Sequence, residues 1–339
     1  MVTLDVIESS NDRIASSLQA GLVAVFVGGT NGVGETTVRQ FARYASQPRV
    51  YIVGRSQEAG ERIVAECKAV NPDGTFVFLK RETALMRDVD GICNELIEKE
   101  EAINLLFLTV GTLQIGIKTE EGLHYPAALT IYARNHFISR LLPQIRQAKR
   151  LRRVISVYGA TFEGQISMLD FQGWKLFRPQ MQAHEASITT LALEAHRREA
   201  PEVSFVHNFP GAVESGIGRG SIGWLMRTLK TIFAILGPLV HIPLEEAGNR
   251  HLFLCTSARY SVGPNDMTGG VPLLEHLTLA RGTDGQVGSG VYSIDANGES
   301  ASPTVEKLLA QLRDKGMVDR IMDTIQSDIK TAIAASASQ

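Results

Sequence analysis

The chain has 339 residues, 44% hydrophobic and 21% charged, with a formal net charge of −2 at pH 7. That is enough apolar side chain for one large core, and it gives no basic field of the kind that nucleic-acid binding needs. Cys67, Cys93 and Cys255 lie too far apart in sequence for a metal-type pair or a disulfide framework, which suits a reducing, cytoplasmic setting.

The first segment, MVTLDVIESSNDRIASS, holds acids and no apolar run, so it does not read as a secretory signal. A short apolar run ending in glycines predicts a buried strand at 22–28. Val38, Phe41, Ala42 and Ala45 then recur at helical spacing. Strands are predicted at 49–54, 75–80, 103–111, 152–159 and 203–211. Between them lie the helical stretches EAGERIVAECKAV, DVDGICNELIEKE, LTIYARNHFISRLLPQI and AHEASITTLALEAHRREA. A late strand is predicted at 290–298. This alternation predicts one Rossmann-type domain: a doubly wound parallel sheet in a three-layer α/β/α stack, with a core over about 20–300.

Two parts stand outside the alternation. Residues 216–250 are apolar and interrupted by glycine, and residues 301–335 hold two amphipathic helices; the final AASASQ reads as a frayed end. The longest apolar stretch, TIFAILGPLVHIP, is broken by Gly237 and Pro238, too short for the roughly 18–20 residues of a membrane span.

The most informative stretch is VFVGGTNGVGETTV. Gly28, Gly32 and Gly34 sit between a strand and a helix, where glycine permits a tight turn, close approach to a pyrophosphate and close helix packing. The helix N-terminus adds free N–H groups and positive dipole. The spacing Gly-x-x-x-Gly-x-Gly resembles the short-chain dehydrogenase/reductase family, with Val27 replacing the family's threonine. PGAVES (210–215) is similar to its Pro-Gly segment near the nicotinamide, and GVYSIDANG to its last strand. The general resemblance is to divergent members found in filamentous fungi, many tied to natural-product pathways. It implies cofactor contacts at Gly28, Thr30, Asn31, Gly32, Val33, Gly34, Gly111, Pro210, Gly211, Val213 and Ser215. At the end of the second strand stands Arg55 rather than a carboxylate, which favours NADP(H) because an arginine can neutralise the 2′-phosphate. Glu82 falls on the adenine side.

The family resemblance also implies a tyrosine as proton donor, a lysine four residues later, a serine at the end of strand five and an asparagine on the preceding helix. Proton handling demands these types: an ionisable hydroxyl, a cation to tune it and an oxyanion partner. Counting along the helices puts Phe177 at the tyrosine position, Met181 at the lysine, Gly159 at the serine and Tyr132 at the asparagine. No tyrosine followed by lysine at four residues exists in 158–190. Tyr158, Tyr132 and His184 are therefore the candidate replacements. No metal-ligand spacing and no Gly-x-Ser-x-Gly elbow is present.

Residues 216–250, with Trp224 and Phe233, read as a lid over a bulky apolar substrate such as a terpenoid or polyketide; a subunit interface or a peripheral membrane contact are the competing readings. The expected function is an NADP(H)-dependent oxidoreductase on an apolar carbonyl or alcohol. The alternatives are a non-redox isomerase, cyclase or lyase on the same scaffold, and a catalytically silent cofactor-binding subunit. A homodimer or homotetramer through the helices flanking strand five is the assembly the family implies.

Overall fold

The computed structural model describes residues 1–213, 242–263, 266 and 269–337. The strands are β1 (Val23–Val27), β2 (Arg49–Gly54), β3 (Thr75–Lys80), β4 (Leu105–Leu108), β5 (Arg153–Val157), β6 (Ser204–Asn208) and β7 (Val291–Ile294). They pair all-parallel in the order β3-β2-β1-β4-β5-β6-β7, so the chain reverses direction of winding between β1 and β4. Ligands of such sheets bind beyond the carboxyl ends of the strands at that switch. The expected doubly wound fold is thus observed.

The helices are α1 (Leu4–Asn11), α2 (Ile14–Ser17), α3 (Gly32–Tyr44), α4 (Gln57–Val70), α5 (Met86–Lys99), α6 (Tyr125–Ala127), α7 (Arg134–Gln147), α8 (Arg178–Glu199), α9 (Leu244–Thr256), α10 (Pro303–Asp314) and α11 (Met317–Ala337). β1, β4, β5 and β6 are buried along their whole length, as expected for strands covered on both faces. Two apolar layers result. One packs α5, α7, α8, α10 and α11 on the sheet; the other packs α1, α3 and α9. In the second layer Phe26 meets Phe41 at 5.7 Å and Phe107 at 5.3 Å between ring centroids, each pair adding about 0.5–1.5 kcal/mol to plain burial.

Several predicted strands run past the observed ladder at their carboxyl ends. The surplus residues are Gly28, Thr109–Gly111, Tyr158–Gly159, Phe209–Gly211 and Asp295–Gly298. The first of these residues on β1, β4, β5 and β6 still donates a backbone bond to the neighbouring strand, but regular pairing stops there, and these bends form one end of the molecule.

Other differences have local causes. The opening segment folds as α1 and α2 because Val2, Ile7 and Ile14 bury against the second layer. Residues 242–250 of the predicted lid instead begin α9, which packs on α3: Thr36 Oγ1 donates to Leu244 O at 2.7 Å, and a Cβ on Gly248 would lie 2.6 Å from that hydroxyl. The remainder of the predicted lid, with Trp224 and Phe233, lies outside the described residues, as does Ser215. The tail does not fray at 334–337: α11 runs to Ala337, and Ser336 Oγ donates to Glu121 Oε1 at 3.1 Å. Cys67, Cys93 and Cys255 are buried free thiols.

Between α6 and α7 the chain makes a π-turn, Ala128–Ala133. A π-turn places one more residue per turn than an α-helix and so rotates everything after it. Arg134, the first residue beyond, is buried like every residue from 126 to 135, with only 2% of it exposed.

Candidate active site

The phosphate-binding half is built by backbone. β1 ends at Val27, and Gly28 turns with φ +91°, a left-handed region that favours glycine. A Cβ on Gly34 would sit 2.2 Å from Gly28 O, and one on Gly28 would sit 2.6 Å from Thr109 Oγ1. Both glycines therefore let the first turn of α3 lie directly on the end of β1. Thr109 locks this approach from β4, its hydroxyl 3.2 Å from both Val27 O and Gly28 O. Asn31, the N-cap of α3, makes no side-chain cap bond, so the helix start keeps N–H groups and positive dipole for an incoming anion. This cradle fits a dinucleotide pyrophosphate.

The other predicted cofactor residues gather at the same end. Thr30 packs on the end of β2, where a Cβ on Gly54 would meet its Cγ2 at 2.6 Å. Arg55 follows β2 with its side chain 65% exposed, donating to Tyr125 Oη at 2.8 Å and to Glu82 Oε2 at 3.3 Å. Gly111 follows β4. Pro210 and Gly211 follow β6; Gly211 has φ +77°, and Val213 bridges to Ile242.

The reactive half is built by side chains, and it departs from the family. Gly159 has no side chain to offer a substrate oxygen, and its N–H donates to His207 Nε2 at 3.2 Å. Phe177 is the N-cap of α8 and 60% exposed. Met181 is buried, its Cγ 3.3 Å from the position a Cβ would take on Gly173. Neither can carry a proton or a charge.

The three candidate replacements have different surroundings. Tyr132 is fully buried, and its hydroxyl donates to Asp328 of α11. His184 is buried with Nε2 against Phe171 O at 2.9 Å, while Nδ1 accepts from Ser167 N at 3.2 Å. Both ring nitrogens are thus engaged by backbone. Tyr158 stands at the carboxyl end of β5, partly exposed, with its hydroxyl donating to Glu185 of α8.

Tyr158 belongs to a cluster that sequence reasoning did not assemble. The Arg134 guanidinium lies 5.6 Å from the centre of its ring. Arg134 Nη1 donates to Ser156 Oγ at 2.7 Å and Nη2 to Val110 O at 2.6 Å, while its Nε has no partner. Glu185 is 1% exposed, with Oε1 unpartnered. Burial pushes the Glu185 carboxyl up to about 7, against the pull of Tyr158, Thr130 and Arg134. Burial and the adjacent Glu185 push the Tyr158 hydroxyl well above its ordinary value. Burial pulls Arg134 down to about 10.

Behind the ring, His207 stacks parallel to Tyr158 at 6.5 Å. Because its Nε2 accepts from Gly159, its proton resides on Nδ1, which reaches Thr190 Oγ1 at 2.8 Å. Thr190 passes its own proton to Glu163 Oε1 at 2.8 Å, and Ser293 Oγ donates to the same oxygen at 2.6 Å. Burial raises the Glu163 carboxyl, but the nearby His207 ring, 3.7 Å away, and the bonds from Ser293 and Thr190 outweigh it and hold Glu163 below the usual carboxylate range.

A signal for Arg134 and Glu185 existed in the sequence. Met181, Glu185, Ile188 and Ala192 fall at steps of four, three and four, and so do Arg134, Ile138, Leu141 and Ile145. Each charge occupies a place in an apolar stripe, and buried charges occur almost only when they are paired or hydrogen-bonded.

No group of metal-ligating side chains is present among the described residues, and none of their helices is long and apolar enough to cross a membrane. No family model matches the chain. It is 35% identical to "Oxidoreductase AN1596" of Emericella nidulans, over 98% of this chain and 99% of that protein. It is 27% identical to "Short-chain dehydrogenase/reductase SAT2" of Stachybotrys chartarum, over 84% and 86%. Its fold superposes on the L-sorbose reductase of Gluconobacter frateurii, whose structure holds NADPH and L-sorbose, with a TM-score of 0.54 and 16% identity over 77% of this chain and 99% of that one. With the glycine turn, the strand order and full-length relatives in agreement, the chain belongs to the short-chain dehydrogenase/reductase superfamily and is an oxidoreductase of that type.

Proposed function

We propose that this enzyme moves a hydride between NADP(H) and a bulky apolar carbonyl or alcohol of natural-product type, with Tyr158 in place of the family's tyrosine. The observation that carries this reading is the pairing, at one end of the sheet, of the Gly28–Gly34 cradle with an ionisable hydroxyl at the end of β5. Of the three candidates, Tyr132 is bonded to Asp328 and His184 is engaged by backbone on both nitrogens.

The nicotinamide cofactor supplies or accepts the hydride. Gly28, Thr30, Asn31, Gly32, Val33 and Gly34 would hold its pyrophosphate, Gly111, Pro210, Gly211 and Val213 would border its nicotinamide half, and Arg55 would meet the 2′-phosphate. An exposed guanidinium at the end of β2, whose nearest carboxylate is Glu82 after β3 rather than a residue of β2 itself, supports NADP(H) over NAD, as does the NADPH held by the reductase of like fold. During reduction the Tyr158 hydroxyl protonates the carbonyl oxygen, and Arg134 beneath the ring stabilises the charge that develops on Tyr158.

Ile115, Ile117, Phe162, Trp174 and Phe177 are exposed on the segments that follow β4 and β5. Trp174 is stacked on His124 at 4.2 Å, which ties those two segments together. This apolar rim supports a bulky apolar substrate. The buried free thiols support a cytoplasmic location. α11 packs along α8, which favours a homodimer or homotetramer built on another surface.

The test uses NADPH carrying deuterium at the transferred position and a prenyl aldehyde such as farnesal. Deuterium in the alcohol product supports the reading. Product without label and without cofactor consumption would point to isomerase, cyclase or lyase chemistry; tight NADPH binding with no product would point to a silent subunit.

A further inference from the structure

The reading of Tyr158 as donor leaves a question of supply, because its proton already points at Glu185. One hydrogen bond between a phenol and a carboxyl has two states. The phenol can donate to a carboxylate, or a carboxylic acid can donate to the phenol oxygen, which frees the phenol proton for another acceptor. Glu185 is placed for the second state. An ionised carboxylate ordinarily collects several donors, yet Oε1 of this buried group has no hydrogen-bond partner, and the neighbouring Thr130 hydroxyl, although it draws the carboxyl down, is directed to Pro126 O at 2.8 Å. Arg134 does not supply the missing donor, since Nη1 and Nη2 are bonded to Ser156 and Val110. Its charge lies under the Tyr158 ring, where it favours a transient phenolate. Glu185 also stands one helical turn beyond Met181, so α8 presents an acid close to where the family places a cation.

We propose that Glu185 is the proton store for Tyr158. As the hydride bonds to the carbonyl carbon, the π pair of the carbonyl takes the Tyr158 hydroxyl proton. The Glu185 carboxyl proton passes to the Tyr158 oxygen. Glu185 is left as a carboxylate and is reprotonated from water; oxidation of the alcohol runs the same steps backwards, with Glu185 receiving the proton. This rests on the assignment of Tyr158 above. The charged and titratable groups around the carboxyl are Tyr158 and Arg134, with His207 and Glu163 behind the ring. Burial raises the Glu185 carboxyl to about 7, where it can exchange a proton around neutrality, while burial lowers His207.

Two measurements on the full chain test this. Infrared titration without cofactor, from about pH 5 to about pH 9, is expected to show a buried carboxyl signal that disappears near neutrality. Glu185→Gln removes that signal and Tyr158→Phe shifts its midpoint. A midpoint that Tyr158→Phe leaves unmoved overturns the coupling, whether or not the enzyme turns over. The second is the pH profile of kcat/KM for NADPH-dependent farnesal reduction. The wild type is expected to lose about tenfold per pH unit above the Glu185 midpoint, Glu185→Asp to keep a descending limb, and Glu185→Gln to fall about 10–100-fold and lose that limb. An unchanged limb in a folded Glu185→Gln variant overturns the store. A wild type that binds NADPH but never oxidises it overturns the assignment of Tyr158, while the infrared midpoint still decides the coupling.

Discussion

The two halves of the site have diverged to different degrees. The turn from β1 into α3 keeps its glycines, and three of the four positions that handle the proton and substrate oxygen hold residues without an ionisable group: Gly159, Phe177 and Met181. Phosphate recognition at such a turn draws on backbone N–H groups and close packing, so it needs residues that lack a side chain, and at Gly28 and Gly34 an added Cβ would close the space. Proton transfer needs a group of suitable type within reach, and several scaffold positions can reach one point. Tyr158 from β5, Arg134 from α7 and Glu185 from α8 converge where the family draws on other positions.

Four substitutions sharpen or break this contrast. Gly34→Ala should act most strongly, because its Cβ would overlap Gly28 O at 2.2 Å and force α3 off the strand. We expect NADPH binding by calorimetry to fall below detection, with stability lowered by about 1–3 kcal/mol; retained binding would remove the cradle from the account. Arg55→Ala should weaken NADPH by about 10–100-fold, the equivalent of one charge-assisted contact of about 1.5–3 kcal/mol, and leave NADH unchanged. Equal losses for both cofactors would mean that Arg55 does not meet the 2′-phosphate.

Glu185→Gln should stabilise the folded chain, by an amount that depends on pH. The native carboxyl is raised to about 7, above the roughly 4.3 of an unfolded glutamate, so between those values the native state holds the extra proton. The contribution of Glu185 to stability therefore declines as pH rises through that window and stays low above it. The variant should gain little near pH 4 and about 2 kcal/mol near pH 8, read from urea midpoints at the two values. Phe177→Tyr should do least. Its ring is 60% exposed at the helix N-cap, so restoring the family's residue there changes stability by under about 0.5 kcal/mol. Activity should stay within about twofold, because Met181 still supplies no cation to tune it. A large gain would return the proton to α8's first turn and away from Tyr158.

The sheet and the phosphate turn were legible in the sequence because both depend on local pattern: apolar runs, helical spacing and glycine between them. What stayed hidden depends on geometry that periodicity averages away. Matching the helix before strand five to the family singled out Tyr132, which bonds to α11, and passed over Arg134, which lies beside Tyr158 beyond the π-turn at 128–133. Glu185 stood in an apolar stripe, but one charge there reads as an interruption until Tyr158 and Arg134 are seen beside it. The ends of the apolar runs misled in the opposite direction. Thr109–Gly111 and Phe209–Gly211 look like strand in sequence, yet past Thr109 and Phe209, whose N–H groups still bond to the neighbouring strand, they run as loops at the carboxyl end of the sheet.

The last helix carries a consequence for how the site behaves on dilution. α11 lies along α8, accepts the Tyr132 hydroxyl through Asp328, and bonds through Ser336 to Glu121, which in turn accepts the Met86 and Arg87 N–H groups at the start of α5. Helices that are supported by a second subunit lose that support as protein concentration falls. Here the supporting helix belongs to the same chain, so the packing behind Glu185 and Tyr158 is a unimolecular property. This intrachain support does not itself weaken on dilution.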